Sequence, residues 1–102
     1  MKNPRNYIKY REFAINEFRK FLSGEIDNPT LNHNLHTIQN ELGFNRQRGI
    51  KCVWLSFNYD IQKEFTINQI WSDIKFTNNG DNIKKLMQLA IDNPKGFKIY
   101  YS

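Results

Sequence analysis

Cysteine is nearly absent: Cys52 is the single thiol in 102 residues. One cysteine excludes an intramolecular disulfide framework and any zinc site built on cysteines. Long apolar runs are missing too, so no segment reads as a membrane span. Met1-Lys2-Asn3-Pro4 leads into alternating charge without an apolar stretch, which is not the pattern of a secretory leader. Valine occurs once (Val53) and alanine twice (Ala14, Ala90), against 14 Asn, 12 Ile and 10 Lys. Those three abundant residues have AT-rich codons, so the composition points to an AT-rich source genome, of the kind in which small chains often belong to phages or mobile elements. There is no glycine-rich phosphate loop, Walker motif or Gly-x-Ser-x-Gly elbow, and the carboxylates show no paired spacing.

What is present is enough to fold. Hydrophobic residues make up 39% and aromatics 15%, above the level of a disordered chain. The length suits one compact domain over residues 1–102 with a modest core. The expected setting is cytoplasmic. The net charge is +5, but it is segmented. Residues 1–24 are net +4, 25–44 net −3, 45–58 net +3, 59–81 net −2 and 82–102 net +3. No tail holds the excess, so a basic patch has to be assembled by the fold.

Periodicity gives a coarse outline. Residues 4–22 read as a helix after Asn3-Pro4, with Tyr7, Tyr10, Ala14, Phe18, Phe21 and Leu22 on one arc. Arg11 sits inside that arc and Phe13 away from it, and Gly24 is placed for a left-handed cap. Residues 29–42 read as a second helix opened by Asn28-Pro29, its seam formed by Leu31, Leu35, Ile38 and Leu42. Residues 50–57 are the clearest strand; apolar side chains on both faces suit a central position. Residues 67–75 fit a helix through Ile67, Ile70, Trp71 and Ile74, with Thr66 and Gln69 spaced as a capping box. Alternation of Ile70, Ser72, Ile74 and Phe76 also suits a strand, and the helix is favoured. Residues 82–92 read as a helix capped by Asp81 and residues 97–101 as a final strand. The expected class is α+β: about four helices on a two- or three-stranded sheet, in the order α-α-β-α-α-β. Its expected core is Trp54, Phe57, Leu55, Phe18, Leu35, Ile38, Ile70, Leu86 and Ile99.

Candidate chemistry is sparse. His33 and His36 lie three apart, opposite the apolar seam, and should be exposed. They could begin a metal site, but nothing nearby is spaced as a third ligand, so no metal and no cofactor is expected. As general acid and base they would serve a small ribonuclease, with Arg46 or Arg48 near the phosphate. Cys52 lies between apolar neighbours and reads as an inert thiol. Residues 65–101 have the grammar of a helix-turn-helix followed by a strand. Lys85 and Gln88 would then face outward, with Lys84 at the edge and Asn78 and Asn79 before them. Asp81 and Asp92 share that face and oppose phosphate, and Ser102 leaves no room for a second wing strand. The turn Asn45-Arg46-Gln47-Arg48 with Lys51 is a second basic cluster, close in sequence to Phe44 and Tyr59. Phe13 and Leu89, both off their apolar faces, are candidate anchors for a partner or a homodimer.

Asn34-Leu35-His36-Thr37-Ile38, the strand at 50–57, and Asn79-Gly80 leading through a helix to Phe97-Lys98-Ile99-Tyr100-Tyr101-Ser102 run in an order similar to the barstar family of small ribonuclease inhibitors. That family's inhibitory helix is acidic, whereas the matching helix here presents His36 and Asn40, and its first strand has no counterpart. The order suits a protein-binding inhibitor as well as a nucleic-acid reader.

The expected function is non-enzymatic binding, by occupancy, of a nucleic acid, a nucleoprotein or an acidic protein surface, without a membrane. The expected contact residues are Arg46, Arg48, Lys51, Lys84 and Lys85, with Arg19 and Lys20 as a second patch. The alternatives are a protein-only inhibitor of a host defence enzyme, of anti-restriction or anti-CRISPR type, and a small metal-independent ribonuclease.

Overall fold

The structure, a computed structural model, describes residues 8–41, 50–55, 61–78 and 80–101. Helix α1 spans Ile8–Leu22 and α2 spans Asn28–Glu41. Strands β1 (Ile50–Leu55) and β2 (Ile61–Thr66) follow, then α3 (Ile67–Phe76) and α4 (Gly80–Asp92). A 3-10 turn, Pro94–Gly96, leads into β3 (Phe97–Tyr101). The class is α+β. The order is α-α-β-β-α-α-β, because residues 61–66 form a strand that the expected order lacks.

That strand is polar for a reason. β2 lies at one edge of a three-stranded antiparallel sheet ordered β2-β1-β3. Lys63 and Glu64 are exposed and Phe65 is buried. Charged side chains are usual on an edge, where they discourage pairing with other chains, and they also weaken the apolar alternation that marks a strand. The pairing is set instead by β1: Lys51 opposes Thr66, Cys52 opposes Phe65 and Val53 opposes Glu64. The register shifts between Trp54 and Leu55. On its other side β1 pairs with β3, Cys52 opposite Ile99 and Trp54 opposite Phe97.

The helices obey their caps. The α1 backbone ends in a Schellman motif: the Gly24 N–H donates to the Phe21 carbonyl (3.1 Å) and the Glu25 N–H to the Lys20 carbonyl (2.9 Å). Gly24 has φ +84°, a conformation that side chains resist. α2 is capped by Asp27 rather than Asn28. The Thr30 N–H donates to Asp27 Oδ1 (2.9 Å), while Asn28 Nδ2 donates to the Trp71 carbonyl (3.2 Å), tying α2 to α3. Thr66 caps α3 through the full box: its Oγ1 accepts from the Gln69 N–H (3.1 Å) and Gln69 Oε1 accepts from the Thr66 N–H (2.9 Å). This cap starts the helix directly at the end of β2. α4 begins at Gly80, so Asp81 lies in its first turn, where a carboxylate favours the helix dipole.

Phe18, Leu35, Ile70 and Ile99 of the expected core are buried, and Leu86 is half-buried against them. Ala14, Ile15, Leu31, Phe65, Ile67, Ile83, Met87, Ala90 and Phe97 complete the buried cluster. The side chains of Ile38, Trp54 and Leu55, and the whole of Phe57, lie outside the described residues. Phe18 and Phe97 meet edge to face, 5.4 Å between centroids at 68°, linking α1 to β3. Such geometry contributes about 0.5–1.5 kcal/mol beyond burial. α1 packs on α2 and α4, α2 on α3, and α3 on α4; α1, α3 and α4 pack against the sheet. Among the described residues no helix is long and apolar enough to cross a membrane.

Candidate functional site

The expected contact residues that the structure describes fall on three elements, α1, β1 and α4. Arg46 and Arg48 lie outside the described residues, as do Phe44, Tyr59 and Asn79. Lys51 is in β1, opposite Thr66 at the start of α3. Lys84 and Lys85 are exposed on α4. From Thr66 to the end of α3 the helix rises roughly 15 Å, so the Lys51 backbone and the α3–α4 turn are at opposite ends of α3. Arg19 is exposed on α1. Lys20 is partly committed: its Nζ lies 3.4 Å from Glu17 Oε1.

Glu17 is a residue that pattern reading missed. It lies on α1 beside the buried Phe18 and is 3% exposed. Asn34 of α2 donates to Glu17 Oε2 at 2.8 Å, so the carboxylate is held from both helices. Arg11, the charge inside the apolar arc, is half-buried, and its Nε is enclosed with no hydrogen-bond partner among the described residues.

The histidines differ from each other. His33 is exposed. His36, expected to be exposed, is half-buried, with Nδ1 2.8 Å from the Asn32 carbonyl one turn back. With Nδ1–H donating there, only Nε2 is left to accept. No cluster of three or more His, Cys, Asp or Glu able to hold a metal occurs among the described residues. Cys52 lies in β1 and its side chain is outside the described residues. Leu89 is half-buried against the core, which removes it as an exposed anchor; Phe13 keeps 36% exposure.

The α3–α4 corner gathers the most unusual side chains. Ile67 and Ile70 are buried on α3 and Ile83, Met87 and Ala90 on α4. Phe76, nine residues after Ile67, falls about half a helical turn away from that buried seam and is 65% exposed. The half-buried Trp71 meets it edge to face, 5.4 Å between centroids at 81°. Lys75 Nζ lies 4.9 Å from the Trp71 centroid and 5.4 Å from that of Phe76. Thr77 Oγ1 donates to the Asp73 carbonyl (2.8 Å) at the helix end. Beyond it opens a cleft of about 460 Å³ lined by Ile74, Thr77, Asn78, Gly80, Asp81 and Lys84. Lys84 Nζ is also 6.0 Å from the Phe21 centroid, which sets it beside the last turn of α1. No ion pair joins Lys75, Lys84 or Lys85 to a carboxylate among the described residues. Gln88 is engaged, its Nε2 donating to Asp92 Oδ1 at 3.0 Å. The cluster had a signal in the sequence: an aromatic residue diametrically opposite its helix's apolar seam, directly after a lysine.

Comparison with protein-family models, with curated protein sequences and with solved structures finds no match.

Proposed function

We propose that the protein is a non-enzymatic binding protein that occupies a nucleic acid or nucleoprotein through the corner between α3 and α4. One observation carries this reading: Lys75, Lys84 and Lys85 are exposed on both sides of the turn and free of carboxylate partners among the described residues. Surface cations without a carboxylate partner are available to neutralise phosphates, and their counterions are released on binding. Asn78, exposed in the turn, adds an uncharged donor beside the cleft. Fluorescence anisotropy with labelled duplex DNA and labelled single-stranded RNA at two salt concentrations tests the reading. The expected result is binding that weakens steeply as salt rises. Absence of binding at low salt overturns it.

A further inference from the structure

We infer that the exposed Phe76, braced by the half-buried Trp71 and with Lys75 beside it, is a stacking platform for an unpaired base, so that the nucleic acid bound at this corner is single-stranded. This role presupposes the nucleic-acid contact proposed above. Phe76 is an aromatic side chain placed opposite its helix's buried seam and left 65% exposed, where water gains nothing from it. Trp71 braces it edge to face, which orients the ring without covering it as a stacked partner would. Lys75 stands over both rings, so a positive charge lies within reach of any phosphate that accompanies a base stacked there. Lys84, which lines the cleft at the same α3–α4 turn, gives the backbone a second cation to follow.

The alternative duplex geometry is poorly served by the same corner. The exposed side of α4 carries Asp81 and Asp92 along with Lys84 and Lys85, so it has no net charge to draw a helix into the major groove. Gln88, the side chain best suited to an adenine edge, is tied to Asp92. Bases in a duplex also hide the π-faces that an exposed ring would use, whereas a single strand offers them.

The test compares oligothymidylate with a duplex of equal length, using the wild-type chain, Phe76→Ala and Phe76→Tyr. The wild type should prefer the single strand. Phe76→Ala should weaken oligothymidylate binding by roughly 5- to 150-fold, the range for unstacking one base, with an unchanged salt slope. Phe76→Tyr should restore it. Phe76 is exposed, so Phe76→Ala should unfold thermally as the wild type does. Oligothymidylate binding that is indifferent to Phe76→Ala overturns the stacking platform while leaving the nucleic-acid reading intact. Equal wild-type affinity for duplex and single strand does the same. A wild-type chain that binds neither probe overturns both and points the aromatic pair towards a protein partner.

Discussion

A carboxylate buried on a helix has to find its partners within the protein, and Glu17 does so through Asn34 and Lys20. Removing it leaves the Asn34 amide without its acceptor and a void between α1 and α2. Glu17→Ala should therefore destabilise the fold by about 1–3 kcal/mol, measured by urea unfolding. Adding Asn34→Ala should cost less than the two single changes summed, because both act on one bond. Asp27 is another carboxylate with a defined structural task. Hydrogen bonds from the Thr30 side chain and backbone hold its pKa below the ordinary 3.8. A lowered folded-state pKa means that the unfolded chain binds the proton first. The stabilisation is thus present at neutral pH and is lost as pH falls through the carboxylate range towards the lowered value. Asp27→Ala should be less stable than the wild type at neutral pH, and urea titrations at successively lower pH should show that difference shrinking. Neither role is legible in the sequence. A lone Glu on a helix looks solvated until a neighbouring helix is in place, and Asn28, next to Pro29, competes with Asp27 for the cap.

At the scale of elements, local chemistry announces what tertiary pairing has only to accept. The Thr66 and Gln69 spacing marks the start of α3, and Gly24 marks the end of α1; both act where their chemistry puts them. Thr66→Ala should cost about 1 kcal/mol through the missing cap. Gly24→Ala should cost about 1–2 kcal/mol, since alanine at positive φ crowds its own backbone. Thermal unfolding of the two variants checks both values. β2 is illegible in the sequence because the buried Phe65 follows Gln62, Lys63 and Glu64, and its strand character comes from β1. The α3–α4 pair is readable as two helices around a turn. Phe76 opposes the apolar seam of α3, but alternation with Ile74 also gives it a place in a competing strand pattern.

At the scale of the whole molecule, the segmented charge becomes spatial. The central strand sets the Lys51 backbone at the far end of α3 from Lys75, while Lys84 and Lys85 lie on α4. If the α3–α4 corner binds the strand, Lys84→Ala with Lys85→Ala should reduce the salt slope on a single strand by roughly 1.4, about 0.7 for each phosphate no longer neutralised. Arg46→Glu with Arg48→Glu should leave most of the affinity in place. Abolition of binding by the arginine changes alone would move the interface to the 45–48 turn. The two cases separate in one anisotropy titration series.

Thr66 belongs to two elements at once, as the last residue of β2 and the cap of α3. No linker separates them, so fraying of the first turn of α3 pulls directly on the edge of the sheet. The amides of β2 and of the N-terminal half of α3 should then exchange with solvent deuterium as one cooperative unit with a common opening energy. Loosening that unit with Thr66→Ala should accelerate exchange in both elements together, while α1, closed independently by Gly24, keeps its own rate.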